Sequence, residues 1–186
     1  MTPVRPFVWA VRGKSVRQVT IQPVEHADGP ALVSANRASV ELHHPWAHPF
    51  TDLDGFARYF SSLDGHQNVG LLARNLGDGS VVGVITLSQI ARGGFQSAYL
   101  GFYGAIGQAG RGQMTTAVGA AIDYAFGDLG LHRVEANVQP GNLRSLALIK
   151  RVGFQKEGFS PNYLSIGGEW CDHERWAILS TERKGR

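Results

Sequence analysis

The residues best suited to chemistry fall in three short stretches in the second half of the chain. The first runs Ile106-Gly107-Gln108-Ala109-Gly110-Arg111-Gly112-Gln113-Met114. It reads as a glycine-rich turn between the end of a strand and the start of a helix. Gly110 and Gly112 permit positive φ and close backbone approach. Successive amides at a helix N-terminus form an anion nest, for which a diphosphate is the natural guest. Arg111 adds charge. A Walker-type loop would need Gly-Lys-Ser/Thr, which is absent, and a dinucleotide fingerprint would need a third glycine where Thr115 stands. Taken alone, the stretch also reads as two turn glycines and a solvated arginine.

The second stretch, Arg133-Val134-Glu135-Ala136-Asn137-Val138, alternates strictly. Val134, Ala136 and Val138 belong to a core face, and Arg133, Glu135 and Asn137 share the other. Such a polar row is ordinarily the solvated side of a sheet, and it matters for chemistry only where that face borders a cleft. The third stretch is Asn142-Leu143-Arg144-Ser145, opening a helix that ends at Gly153-Phe154. Asn142 is a natural N-cap, Ser145 sits one turn inside, and Gly153 is the left-handed terminator. His43, His44 and His48 raise a metal reading. Pro45 and Pro49 break the helical spacing such ligands use, and no complete ligand set accompanies them. A loop lining an acceptor cleft, with Trp46 and Phe50, fits better.

The elements that must position these residues follow from periodicity. Val16, Val19, Ile21 and Val24 predict a first strand stopped near Pro23. Helices are expected at 27–40 and 51–63, the second capped by Thr51 or Asp52. Strands are expected at 69–74, 81–87 and 98–106, with the first two joined by the turn cluster 75–80. Met114, Ala117, Val118, Ala121, Ile122 and Ala125 give the clearest amphipathic helix, 111–126. A strand at 132–139, a helix at 143–152 and a hairpin, 154–166 with 169–179, complete the chain. Strands on both sides of a central helix predict a mixed α/β sheet. Residues 1–14 read as an N-terminal arm and 15–186 as one domain.

Composition narrows the class. The chain has 186 residues, 43% hydrophobic and 18% charged, which excludes a disordered chain. At this size it can bury about 70% of its unfolded surface without a disulfide or metal staple. The single cysteine, Cys171, excludes an internal disulfide framework and a multi-cysteine zinc site. A net charge of +3 permits an anionic ligand or a ribosomal partner without requiring nucleic acid. The longest apolar run near the N-terminus, Phe7–Val11, is too short for a leader, and no run approaches the ~20 residues of a membrane span. A soluble cytoplasmic protein is the expectation.

Together the three stretches resemble the GNAT superfamily of N-acetyltransferases, over roughly residues 17–180. The subgroup they resemble is that of the RimJ/RimL-type ribosomal-protein alanine N-acetyltransferases. Tyr99-Leu100-Gly101-Phe102, Gly110–Met114, His132-Arg133, Asn142–Ser145, Gly153–Gly158 and Trp170–His173 carry the likeness, with Asn36-Arg37 and Pro45-Trp46. The family's Gln/Arg-x-x-Gly-x-Gly/Ala motif falls on Ala109–Met114, so both ends deviate and Gln108 sits one residue early. Ile149 stands where many relatives carry a tyrosine acid. Asn137 stands where some carry a glutamate or histidine base, and an amide cannot take a proton.

The resemblance implies a mostly antiparallel mixed sheet, helices on both faces, splayed between the family's fourth and fifth strands (98–106 and 132–139 here). It implies acetyl-CoA as donor, no metal, and direct transfer to an amine. The diphosphate would sit on Gln108, Ala109, Gly110, Arg111, Gly112 and Gln113. The N–H groups of Phe102, Tyr103, Gly104 and Ala105 would hold the thioester oxygen. Ser145 would protonate the leaving thiolate, with water as fallback, and Asn142 would hold the pantetheine or the local turn. Glu135, through a water, and His173 are the candidate bases, each with a plain structural alternative: a surface carboxylate, and a strand residue paired with Asp172. At pH 7 an α-amine of pKa about 7.7–8.0 is roughly 10–15% neutral, whereas a lysine is neutral to about 0.04%. That difference, about 3.5 kcal/mol, favours a protein N-terminus over a lysine at a site lacking the usual carboxylate. The partner expected is a protein N-terminus, ribosomal in the leading reading, and the chain a monomer or homodimer. The rivals are a small amine, aminoglycoside or polyamine, and a non-catalytic acyl-CoA-binding module.

Overall fold

The computed structural model describes residues 9–12 and 18–183. One eight-stranded sheet runs through it, in the order β1-β2-β3-β4-β5-β6-β8-β7. The strands are β1 Trp9–Arg12, β2 Gln18–Pro23, β3 Val69–Asn75, β4 Val81–Ala91, β5 Ser97–Gly104, β6 Arg133–Val138, β7 Gln155–Ile166 and β8 Glu169–Leu179. Every neighbouring pair is antiparallel except β5 and β6, which run parallel. The strand expected first, which is β2, stops at Pro23, as its missing N–H requires. Val16 and the boundary expected after residue 14 lie outside the described residues.

Helices cover both faces. On one lie α4, Gln113–Gly127, and α5, Leu143–Val152. The predicted stripe of α4 is the one buried: Ala117, Val118, Ala121, Ile122 and Ala125 are fully enclosed, against Val134, Ala136 and Val138 of β6. On the other face lie α1, Gly29–Ala38, and α3, Leu53–Ser61, over Leu72 and Val84. Asp52 caps α3, its carboxylate accepting the Gly55 N–H at 2.6 Å. The single helix expected over 27–40 is divided. It breaks at Ser39, whose hydroxyl donates to the Ala35 carbonyl at 2.6 Å, and a short α2, Val40–His43, follows. Such back-bonding competes with the helical ladder and bends it. No helix among the described residues is long and apolar enough to cross a membrane.

Candidate functional site

Pairing between β5 and β6 covers only Ser97↔Arg133, Ala98↔Val134 and Tyr99↔Glu135. Beyond Tyr99 the strands part, although β5 stays paired to β4 as far as Gly104↔Gly83. The gap therefore opens beside residues 100–104 on one side and 136–138 on the other. Which β5 amides face it follows from ladder alternation. Ala105 donates its N–H to the Val82 carbonyl at 2.8 Å, so Tyr103 and Gly101 also turn theirs toward β4. The N–H groups of Phe102 and Gly104 point into the gap, with no partner there among the described residues. Of the four amides expected at this position, Tyr103 and Ala105 are thus already engaged.

The chain leaves β5 through a 3-10 turn, Ile106–Gln108, and enters α4 at Gly112. Gly110 and Gly112 hold φ of 76° and 72°, the left-handed region that a side chain rarely adopts. A Cβ on Gly110 would meet nothing within 4 Å, so the backbone there is open to a ligand. Gln108 and Ala109 spend their amides on the Ala105 and Ile106 carbonyls. The first helical bond is Thr116 N–H to Gly112 O, which leaves the amides between Gly110 and Thr115 open, as a helix start requires. Gln108 contributes its side chain instead, donating to Ser80 Oγ at 2.7 Å and accepting from Arg111 at 3.3 Å. Buried Gln113 carries a side-chain oxygen with no partner among the described residues. This nest, continuous with the gap, fits a diphosphate followed by a long extended arm.

Opposite lies the start of α5. Asn142 caps it, its Oδ1 accepting the Ser145 N–H at 3.1 Å, which is the local-turn role of the two expected for this residue. The Ser145 side chain is half-buried, one turn above fully buried Ile149. Of the polar face of β6, only Asn137 lies beyond the last pair with β5 and so beside the gap. Glu135 is tied down at the sealed end: Arg133 donates to it at 2.8 Å and also grips Glu157. That grip holds the Glu157 carboxyl below the usual range. Asn137 lies past the last paired position, its Oδ1 buried and without a partner among the described residues. His173 is buried on the same face, but Asp172 is not its partner. Asp172 accepts the Asn162 N–H at 2.8 Å, while His173 Nδ1 meets the Cys171 carbonyl at 2.9 Å. A carbonyl can only accept, so Nδ1 carries a proton and Nε2 is the nitrogen that can offer a lone pair. Tyr163, 6.2 Å from that ring between centroids, hydrogen-bonds Tyr99 and so raises its pKa.

Two residues from the N-terminal half reach the end of β5: His43, from the segment expected to line an acceptor cleft, and Ser39, which no local pattern singled out. His43 Nε2 donates to the Gly104 carbonyl at 2.8 Å, and Ser39 Oγ accepts the Ile106 N–H at 3.0 Å. The α1–α2 corner thus holds the end of β5 from both sides of Ala105. His44 and His48 are exposed, with rings 6.3 Å apart. Among the described residues no group of three or more histidine, cysteine or acidic side chains is arranged to hold a metal. The segment after α2 straps across the site. Trp46 lies where a Cβ on Gly141 would stand, and His48 where one on Gly167 would. Arg37 fastens the far end of the strap, donating to the Thr51 carbonyl at 2.5 Å.

A parallel pair that parts midway, a glycine nest at the following helix and a capped helix across the gap define an acyl-CoA-type transferase fold. The family model of the acetyltransferase (GNAT) domain matches residues 18–155, and the chain belongs to that family. It is 41% identical over 104 residues to the [ribosomal protein uS5]-alanine N-acetyltransferase of Escherichia coli, covering 55% of this chain and 53% of that one. The chain spans a little over half the length of the curated relatives it matches first. Mycobacterium smegmatis RimJ, solved in complex with CoA-disulfide, superposes with a TM-score of 0.87 at 28% identity, over 100% of this chain and 93% of that one. Spermidine N-acetyltransferase from Vibrio cholerae, in complex with CoA and spermine, shares the fold at 21% identity and TM-score 0.75, over 88% and 96%.

Proposed function

We propose that this protein is a cytoplasmic N-acetyltransferase that uses acetyl-CoA to acetylate the N-terminal α-amine of a protein, a ribosomal protein with N-terminal alanine in the leading case. The observation that carries the reading is the break after Tyr99↔Glu135, which exposes two β5 amides beside an open glycine nest. Acetyl-CoA supplies an activated acetyl group on a thioester. The amides from Gly110 to Thr115 would hold its diphosphate, with Arg111 adding charge. Phe102 and Gly104 would donate to the thioester oxygen as negative charge builds on it, which lowers the barrier only because they are fixed beforehand. Their rigidity comes from β4 on one side and from the His43 bond on the other. Ser145 would give a proton to the departing sulfur; a thiol pKa of about 8.5 makes a hydroxyl donor sufficient. Of the two candidate bases, His173 retains an available lone pair, whereas Glu135 is occupied by Arg133.

The acceptor side favours a peptide over a polyamine. One depression beside the strap is lined by His48, Phe50, Asp52, Arg58, Tyr59 and Tyr103, with one carboxylate and one guanidinium. Its neighbour has Glu41 among His43, His44 and His48. Neither concentrates the negative charge that a polycation needs. Mass spectrometry of protein N-termini from cells with and without the gene tests the reading. A set of alanine N-termini that loses acetylation supports it. Unchanged N-termini alongside acetylated spermidine would transfer the reading to small amines. Coenzyme A binding with no thiol release on any amine would make the chain a binding module.

A further inference from the structure

We infer that Asn137 is the residue that receives the acceptor amine, its side-chain oxygen accepting an N–H from the incoming nitrogen. This rests on the transferase reading above and adds to it the group that orients the nucleophile.

The register places Asn137 two residues beyond the last paired position, Tyr99↔Glu135, on the same face as Glu135. Its counterpart across the gap is Gly101, which has no side chain, and a Cβ built there would meet nothing within 4 Å. Space for a ligand therefore lies directly opposite. On the other side Asn137 is paired with Arg175 of β8, but that guanidinium is laid over Gly158 of β7, where an added Cβ would lie 2.6 Å from it. Arg133, the other cation of this face, is engaged with Glu135 and Glu157. Asn137 Oδ1 is left buried and, among the described residues, without a donor. A buried acceptor with no partner costs about 1–3 kcal/mol, and a donor brought by a bound ligand relieves that cost.

The donor such a site expects carries N–H groups and approaches through the open gap, and an amine does both. An amide oxygen accepts from a neutral amine and from an ammonium alike, but cannot be protonated at pH 7. Asn137 therefore orients the nitrogen lone pair toward the acetyl carbon without taking a proton. The N–C bond forms as the C–S bond breaks. The proton released by the amine passes to water or to His173 Nε2, and the sulfur takes one from Ser145 or solvent. His173 lies on the same face, two residues from Arg175 along β8 and toward the open end.

The test compares wild type, Asn137→Ala and Asn137→Asp in steady-state thiol release with an alanine-initiated tetrapeptide and with spermidine, checking each variant's fold by thermal melting. Asn137→Ala is expected to raise the KM of the accepted amine at least tenfold, with the KM of acetyl-CoA within twofold. Asn137→Asp, which keeps an acceptor oxygen of the same size, is expected to restore the amine KM to within threefold. In a direct binding assay on the CoA-loaded protein, the free tetrapeptide is expected to lose affinity in the alanine variant, while its N-acetylated form binds both proteins equally. Wild-type transfer with an unchanged amine KM in Asn137→Ala overturns the assignment. So does a parallel loss in both KM values, which marks a structural role. If wild type transfers to neither amine, the transferase reading itself fails and the assignment falls with it.

Discussion

Replacing Gly110 with alanine separates a backbone that is strained from one that is waiting for a ligand. Gly110 sits at φ 76°, and a methyl group added to it meets nothing within 4 Å. The folded protein therefore loses only the left-handed penalty of an L-residue, about 1–2 kcal/mol. For a chain of this length that is a fall in Tm of about 2–8 °C. Gly130, beyond the end of α4, provides the control: φ is 63° and its surroundings are equally open. Gly130→Ala should destabilise the protein by the same amount. The two variants diverge on cofactor binding. At Gly110 the methyl occupies the approach to the open amides, and displacing a diphosphate from one charge-assisted bond costs about 1.5–3 kcal/mol. Calorimetric titration with coenzyme A should show Kd raised about 10- to 150-fold for Gly110→Ala and unchanged for Gly130→Ala, at matched Tm. Equal affinity in the two variants, with equal losses of Tm, would remove the diphosphate from this turn and with it the reading of the nest.

Three further outcomes are expected. Ser145→Ala keeps the α5 cap, because Asn142 accepts the backbone N–H and not the hydroxyl, so kcat should fall at least tenfold while acetyl-CoA affinity stays constant; unchanged turnover in a thiol-release assay removes Ser145 from the acid role. His43→Ala leaves the Gly104 carbonyl without its donor and should cost about 1–3 kcal/mol in denaturant unfolding, with a larger fractional loss in kcat than in coenzyme A affinity, since the nest is built elsewhere. Arg133 lowers the pKa of Glu157, so their pair stabilises the protein above the ordinary carboxylate range and loses that contribution as pH falls through the depressed value. Glu157 is partly exposed, so the contribution is about 0–1 kcal/mol, and Glu157→Gln should flatten that limb of a stability-against-pH curve.

Much of this architecture is written in local patterns. The stripe from Ala117 to Ala125 fixes the buried face of α4, and strict alternation from Arg133 to Val138 fixes which side of β6 is polar. Gly110, Gly112, Asn142 and Gly153 mark turns and caps by conformational preferences that depend on a few neighbouring residues. These signals are short-range, so one sequence suffices to read them. The break at Ser39 was hidden because it depends on a hydroxyl that bonds both Ala35 and the distant Ile106 amide.

What the linear order could not decide is which donors and acceptors remain available. Whether Phe102 or Tyr103 turns its amide into the gap is a matter of ladder phase, set by where Ala105 meets Val82. Whether His173 offers a lone pair depends on which acceptor takes its proton, and that proved to be Cys171 and not its neighbour Asp172. Asn137 keeps its oxygen free only because Arg175 leans over Gly158 and β5 has already veered away. Residue types are properties of the chain, but hydrogen-bond valence is spent pairwise in space, and only the folded arrangement settles which groups are left for a substrate.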